Sequence, residues 1–301
     1  MQDTTIGTQS MLVSLEQGLP RQSTQLKEQA KKIETDNHTE AGVVKANAHY
    51  WKKKDPKNPK KEIDGLQKLK DYHNQYKTAV HNLARYPYSG GFYLCPAASV
   101  EDLLKVQEKF DALRPSVLMD WADNVFPDLH DSASHRMGSL FEESDFPDLS
   151  ECSKRFTARL TCMAIPPKEQ VARIALISQA SQKLLMDHAD ATSKAAIADL
   201  HKSIWKDLME PLQQVVTVFE KDKPKIYESL LGNLMEIANI VPSYEALTAD
   251  PNLMKAAQDI KAAFGNITTE HLRSSEEARK MALGSAKSLV ASLQPFARKF
   301  V

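Results

Sequence analysis

Apolar residues in this chain return every three or four positions over long stretches, which one buried face of an α-helix requires. Ile63, Leu66, Leu69, Tyr72, Tyr76, Val80 and Leu83 form one such stripe. Val100, Leu103, Val106, Phe110 and Leu113 form another, which passes Pro115 as a kink or restart and continues through Val117 and Trp121. Beyond Pro167 the pattern is unbroken: Val171, Ile174, Ile177, Leu184 and His188, then Ala195, Leu200, Ile204 and Leu208, with Pro211 as a kink or a new first turn. Further helices are expected over 225–240, 251–264 and 269–293, the last ending near Pro295. Only 10 of the 301 residues are glycine, so few sharp turns interrupt these runs. The expected fold is mainly α, with long antiparallel helices in a coiled-coil-like arm or bundle and a small antiparallel β-sheet. The expected division is a mixed domain over 1–165 and an all-helical region over 166–301.

The sheet has to come from the few segments that break this period. Met11–Leu15 is a short apolar run, suited to an edge or central strand. Phe156, Ala158, Leu160 and Cys162 alternate with polar residues as far as Ile165, a period-two signature. Between two helices lies Tyr86-Pro87-Tyr88-Ser89-Gly90-Gly91-Phe92-Tyr93-Leu94-Cys95-Pro96, where Gly90 and Gly91 permit positive φ and so a structural turn into a short strand. Ser99 then suits an N-cap, with Glu101 and Asp102 in the first turn. Residues 20–60 are polar and uneven, with a helix expected over Val43–Trp51. Phe-Pro-Asp-Leu occurs at 126–129 and again at 146–149, each copy suited to a turn or helix start. Asn266-Ile267-Thr268 matches a glycosylation sequon, but it reads better as a helix start.

Charge is balanced overall, with 39 basic and 39 acidic residues, so nothing global draws the chain to nucleic acid or anionic membrane. Locally it is uneven. Residues 101–150 hold four Lys/Arg against twelve Asp/Glu, an excess suited to docking a basic partner. Lys52, Lys53, Lys54, Lys57, Lys60 and Lys61 crowd into ten residues with Pro56 and Pro59, which marks a solvated loop. With Trp51 and Tyr50 beside it, the same run offers cations and an aromatic platform for nucleic acid.

Other chemistry is sparse. Gly90-Gly91 resembles a phosphate cradle, but no Lys-Ser/Thr follows it and no third fingerprint glycine is present. Asp128, His130, Asp131 and His135 offer ligands for a divalent ion in an acidic segment, without HExxH spacing. His73, Tyr76 and His81 share or border one helix, where packing with a satisfied polar tip competes with metal binding. Cys95, Cys152 and Cys162 form no CxxC pair, so a disulfide framework or cysteine-rich zinc site is not expected, and a reducing cytoplasm fits. There is no GxSxG, and no nucleophile–base set at motif spacing. Met1-Gln2-Asp3-Thr4 carries no basic n-region, and no run approaches the ~18 apolar residues of a membrane span, so neither signal peptide nor membrane contact is expected.

The order of features resembles a bacterial family of unknown function carried by phages and plasmids. The likeness rests on Met11–Leu15, on Leu83-Ala84-Arg85-Tyr86, and on Gly90–Pro96. It extends to Val100-Glu101-Asp102-Leu103-Leu104, Glu108-Lys109-Phe110 and the strand Phe156–Ile165, covering roughly 10–190. Pro115 and the loop 52–61 depart from the pattern. Members of that family are encoded near MoxR-type AAA+ ATPases and cobaltochelatase-like von Willebrand proteins, and no catalytic residue carries over from them. The resemblance implies a mobile-element protein working beside an ATPase. The expectation is therefore a non-enzymatic helical adaptor or assembly protein in the bacterial cytoplasm, needing no cofactor. Its partner would be such an ATPase, a von Willebrand-type protein or a second copy of itself. Nucleic-acid binding through Trp51 and the lysines at 52–61 is the alternative.

Overall fold

The computed structural model describes residues 6–20, 24–25, 35–36, 47–48, 51–55, 57–58, 60–138, 141, 143, 146–165, 178–221 and 224–299. In chain order the elements begin with α1 (Ile6–Gln9), β1 (Ser10–Gly18), β2 (Thr24–Gln25), β3 (Asn47–Ala48), β4 (Lys52–Lys54) and β5 (Glu62–Asp64). Next come α2 (Gln67–His81), β6 (Tyr86–Pro87), β7 (Tyr93–Pro96), α3 (Val100–Asn124), α4 (Phe126–Met137), α5 (Leu149–Arg155) and β8 (Thr157–Ala164). The rest is helical: α6 (Gln179–Phe219), α7 (Glu228–Ile240), α8 (Glu245–Thr248), α9 (Pro251–Phe264), α10 (Thr269–Ser274) and α11 (Glu276–Ala297). The fold is mainly α with a small antiparallel sheet, as the periodicity requires.

Contacts divide the chain into two units, one of residues 1–14, 82–102 and 162–301, the other of 15–81 and 103–161. This division differs from the linear split at 165/166 expected from the sequence. The reason is pairing: β1 residues Ser10–Val13 pair antiparallel with Tyr93–Pro96 of β7, which draws both segments into the unit that holds the later helices.

In that first unit, the apolar stripe of α6 buries Leu200, Ile204, Trp205, Leu208, Leu212, Val215 and Phe219. Helices α7, α9 and α11 complete a bundle around it. Ala278, Ala282 and Ala286 of α11 are buried at four-residue spacing, and such small side chains let one helix approach another closely. Lys287 pairs with Glu220 at 2.8 Å, while Phe296 stacks on Trp205 at 6.3 Å between centroids, so α11 runs antiparallel to α6. The helix expected over 269–293 is two helices. Ser275 takes extended backbone (φ −117°, ψ 122°) and its hydroxyl accepts the Ala278 N–H, which starts α11 afresh. Pro295 lies inside α11, which ends at Ala297. Thr268 caps α10 through the His271 N–H, so the sequon is a helix start.

The sheet order is β6-β7-β1-β8, which makes β1 central. Gly90 and Gly91 have φ of 59° and 81°, and the turn they form joins β6 to β7 rather than helix directly to strand. Pro87, which cannot donate to a ladder, sits on the edge strand β6. Tyr244, fully buried, ties bundle to sheet: its hydroxyl donates to the Leu94 carbonyl at 3.2 Å and accepts the Arg85 N–H at 3.1 Å. Ser99 belongs to a 3₁₀ turn, Ala97–Ser99, ahead of α3, so it is not the N-cap the sequence suggests. Neither Pro115 nor Pro211 ends its helix.

The second unit is built on aromatic rings. Trp51, Trp121, Phe126 and Phe146 cluster with centroids 5.3–6.4 Å apart. Tyr76 stacks on Phe110 at 4.6 Å. Both Phe-Pro-Asp-Leu copies sit at helix starts, α4 and α5. Gly65 holds the cluster together: its N–H donates to the Trp51 carbonyl at 2.6 Å, and its carbonyl accepts the Trp121 Nε1–H at 2.7 Å. A Cβ at this position would overlap the buried side chain of Leu129. Of the helix expected over Val43–Trp51, Asn47–Ala48 instead pair as strand with Thr24–Gln25, Trp51 lies in a turn, and the remaining positions lie outside the described residues.

Two outcomes follow from this packing. Gly65→Ala should lower stability by about 1–3 kcal/mol through overpacking, and adding Leu129→Ala should cost less than the two single effects summed, as urea midpoints would show. Tyr244→Phe should cost about 1–3 kcal/mol, because the Arg85 N–H loses its acceptor and the Leu94 carbonyl loses a donor.

Candidate functional site

The lysine run folds as a hairpin: Lys52–Lys54 form a strand where the sequence suggests a solvated loop, while Lys57, Lys60 and Lys61 lie exposed in its connection. Lys52, Lys53 and Lys54 of β4 pair with Asp64, Ile63 and Glu62 of β5. The connection closes on itself, with Asp55 N–H to the Lys61 carbonyl at 2.9 Å and Lys61 N–H to the Asn58 carbonyl at 2.8 Å. Opposite charges engage the strand lysines: Lys52 meets Glu62 at 2.8 Å and Lys53 meets Asp128 at 3.0 Å. Lys57, Lys60 and Lys61 are exposed at the tip. Trp51 is 2% exposed and enclosed by three aromatic rings, so it has no free face on which a base could stack. The aromatic platform expected from the sequence is a core residue.

The acidic segment also resolves into local pairs. His130 Nε2–H donates to Glu143 at 2.7 Å, and this bond is the main cause of a pKa above the usual histidine value. His135 Nδ1–H donates to the Asp131 carbonyl at 2.9 Å, and Asp128 faces Lys53. Among the described residues, no group of three or more His, Cys, Asp or Glu is placed to hold a metal ion.

The three cysteines are free thiols; burial pushes Cys95 and Cys152 up to about 12, far from a reactive thiolate at neutral pH. Gly90 and Gly91 are open, with no side chain or backbone near where a Cβ would stand. Tyr76 and His73 of α2 are buried as packing residues. His73 lacks the satisfied tip that the sequence reading expects, since its Nε2 has no hydrogen-bond partner.

Two features went unread in the sequence. The first is Arg85, whose guanidinium bridges Asp207 at 3.0 Å and Glu236 at 3.2 Å beside an open cleft of about 360 Å³ that Glu210, Gln214 and Asn233 also line. Burial is the largest single effect and opposes the Arg85 charge. The bond to Asp207, together with the charges of Asp207 and Glu236 and the Tyr86 hydroxyl, outweighs it, so the pKa lies above the usual arginine value. Its partners lie more than a hundred residues away, so no spacing rule reaches them.

The second feature is the first half of α6. Every buried residue of this helix lies at Ala196 or beyond. Before it, Leu184 is 71% and Leu185 41% exposed. Local bonds contribute in this stretch: Ser178 caps it through the Ser181 N–H at 3.1 Å, and Asp190 pairs with Lys194 one turn on. The apolar stripe marked at Leu184 and His188 is genuine helix, but it faces water rather than core.

The hairpin gives a direct test for nucleic acid. Binding through it requires salt-sensitive affinity for single strands or duplex that drops when Lys57, Lys60 and Lys61 become alanine. The slope of log K against log salt should then be shallower by about 0.7–0.9 for each phosphate no longer neutralised. Fluorescence anisotropy would read both, and an unchanged slope would remove the hairpin from consideration. No family model, curated protein or solved structure matches this chain.

Proposed function

We propose that this chain is a non-enzymatic helical adaptor or assembly protein, which engages a protein partner through the first half of α6. The observation that carries the reading is the contrast within one helix of 41 residues, about 60 Å long at 1.5 Å per residue. From Ala196 onward it buries nine residues in the bundle. The stretch before Ala196 buries none, yet stays helical and presents Leu184 and Leu185 to solvent. Most of a helix's stability in a protein comes from tertiary packing, and exposed leucines gain by being covered, by about 1.5–3 kcal/mol each when burial is complete. An adaptor segment has this character: formed in advance, and completed by its partner.

The likeness of residues 10–190 to the phage- and plasmid-borne helical family supports a mobile-element setting. A MoxR-type AAA+ ATPase or a von Willebrand-type protein is then the partner, in the cytoplasm of a bacterial host. No described helix is long and apolar enough to cross a membrane. Nucleic-acid contact through Lys57, Lys60 and Lys61 stands as the second reading, on the strength of their exposure at the hairpin tip.

Copurification of the full chain from its native host should bring down an ATPase or a von Willebrand-type protein. Leu184→Glu with Leu185→Glu should reduce that recovery at least about tenfold and leave the thermal midpoint within a degree or two, since neither side chain is in the core. A chain that is always recovered alone and monomeric would overturn the proposal.

A further inference from the structure

Among the buried polar groups of the second unit, His73 is the one whose surroundings cannot accommodate a charge. It lies on α2 at 5% exposure. Its ring stacks on Phe156 at 5.0 Å and 26°, with the Tyr72 ring 5.7 Å away. One ring nitrogen is hydrogen-bonded to the backbone of Thr157, at the start of β8. The other, Nε2, meets no donor or acceptor. From β1, Gln17 adds an amide bond at 2.7 Å to the His73 carbonyl. A neutral imidazole fits this site, with one N–H satisfied and one bare lone pair. An imidazolium does not fit, because its second N–H would face carbon.

We propose that His73 is an acid-sensitive latch of the second unit: its protonation opens the contact between α2 and the Phe156–Thr157 start of β8.

The groups around the ring offer the cation no relief. On α2 itself, Tyr72 is neutral and gives its hydroxyl to the Phe110 carbonyl at 2.9 Å; Lys70 is tied to Asp64, and Lys77 is exposed. On α5, Arg155 is paired with Glu151 at 2.7 Å, and on β1 the only carboxylate, Glu16, is exposed. On α3, Asp111 and Arg114 both act on Tyr72, with opposite signs. No ion pair reaches His73 among the described residues. The face of Phe156 attracts a cation weakly, by less than an unmet N–H costs.

Burial lowers the His73 pKa, against the smaller effect of the Thr157 bond. The folded unit holds His73 neutral while the unfolded chain takes up a proton near pH 6.5, so the stability it contributes is full above that pH. It is lost as pH falls through about 6.5 toward the folded value. His130 has the opposite shift and adds stability as pH falls, so it cannot imitate this loss.

Hydrogen exchange of the full chain, corrected for intrinsic rates, should show protection over 67–81 and 156–161 falling about tenfold per pH unit below 6.5, with bundle peptides of α7 and α9 as the internal reference. His73→Gln should flatten that slope. The same slope in the variant, or equal pH dependence in the reference peptides, would overturn the proposal. Should His73→Gln not fold, an NMR titration of the wild-type ring decides: a neutral His73 near pH 6 supports the latch, and a protonated one in the intact fold ends it.

Discussion

The hydroxyl of Tyr244 is where the first unit becomes one structure. It accepts from the Arg85 backbone and donates to Leu94, so a residue of the helical bundle satisfies both the chain leaving α2 and a strand of the sheet. The ring meets Tyr86 edge-on at 5.0 Å, and Arg85 reaches onward to Asp207 and Glu236. Without that hydroxyl the Arg85 N–H loses its acceptor, and an unmet bond costs more than a formed one contributes. Segments 1–14 and 82–102 belong with the late helices because such bonds, together with the β1–β7 pairing, outweigh proximity in sequence.

Much of this is legible in the amino-acid order. The three-to-four period marks the helices, the Gly-Gly pair marks a turn at positive φ, and alternation at Phe156–Cys162 marks a strand. What escapes is whatever depends on partners far along the chain. Trp51 beside six lysines reads as a binding platform until Trp121, Phe126 and Phe146 close over it. The lysines read as a loop until acidic β5 supplies a strand to pair with. Gly65 reads as an ordinary glycine, although two tryptophans bond to its backbone. Periodicity reports which face of a helix is apolar and says nothing of whether anything covers it, which is why Leu184 looks like a core residue in the sequence and is none in the fold.

That distinction matters for function. A catalytic centre needs reactive groups brought together in a water-poor recess. Among the described residues, several groups marked in the sequence are engaged one by one: His130 with Glu143, His135 with a backbone carbonyl, Cys95 and Cys152 as neutral buried thiols, whereas Arg85, Asp207 and Glu236 meet beside an open cleft. Two departures from economical packing among the described residues are the stretch of α6 before Ala196 and the incompletely bonded His73. One gives up burial and the other gives up a hydrogen bond, and natural folds retain such losses mainly where something other than stability is served.

The interleaving of the two units bears on how the chain is made. The polypeptide passes between them after residues 14, 81, 102 and 161. The second unit is fully synthesised once residue 161 has left the ribosome, whereas the first must hold residues 1–14 in waiting until α11, more than a hundred residues later, arrives to complete the bundle. By then both neighbours of β1 in the sheet, β7 and β8, have been made, so it is the bundle that is incomplete. A premature stop ahead of α11 would leave one unit whole and the other short of one helix of its core, and no single cut in the gene separates them.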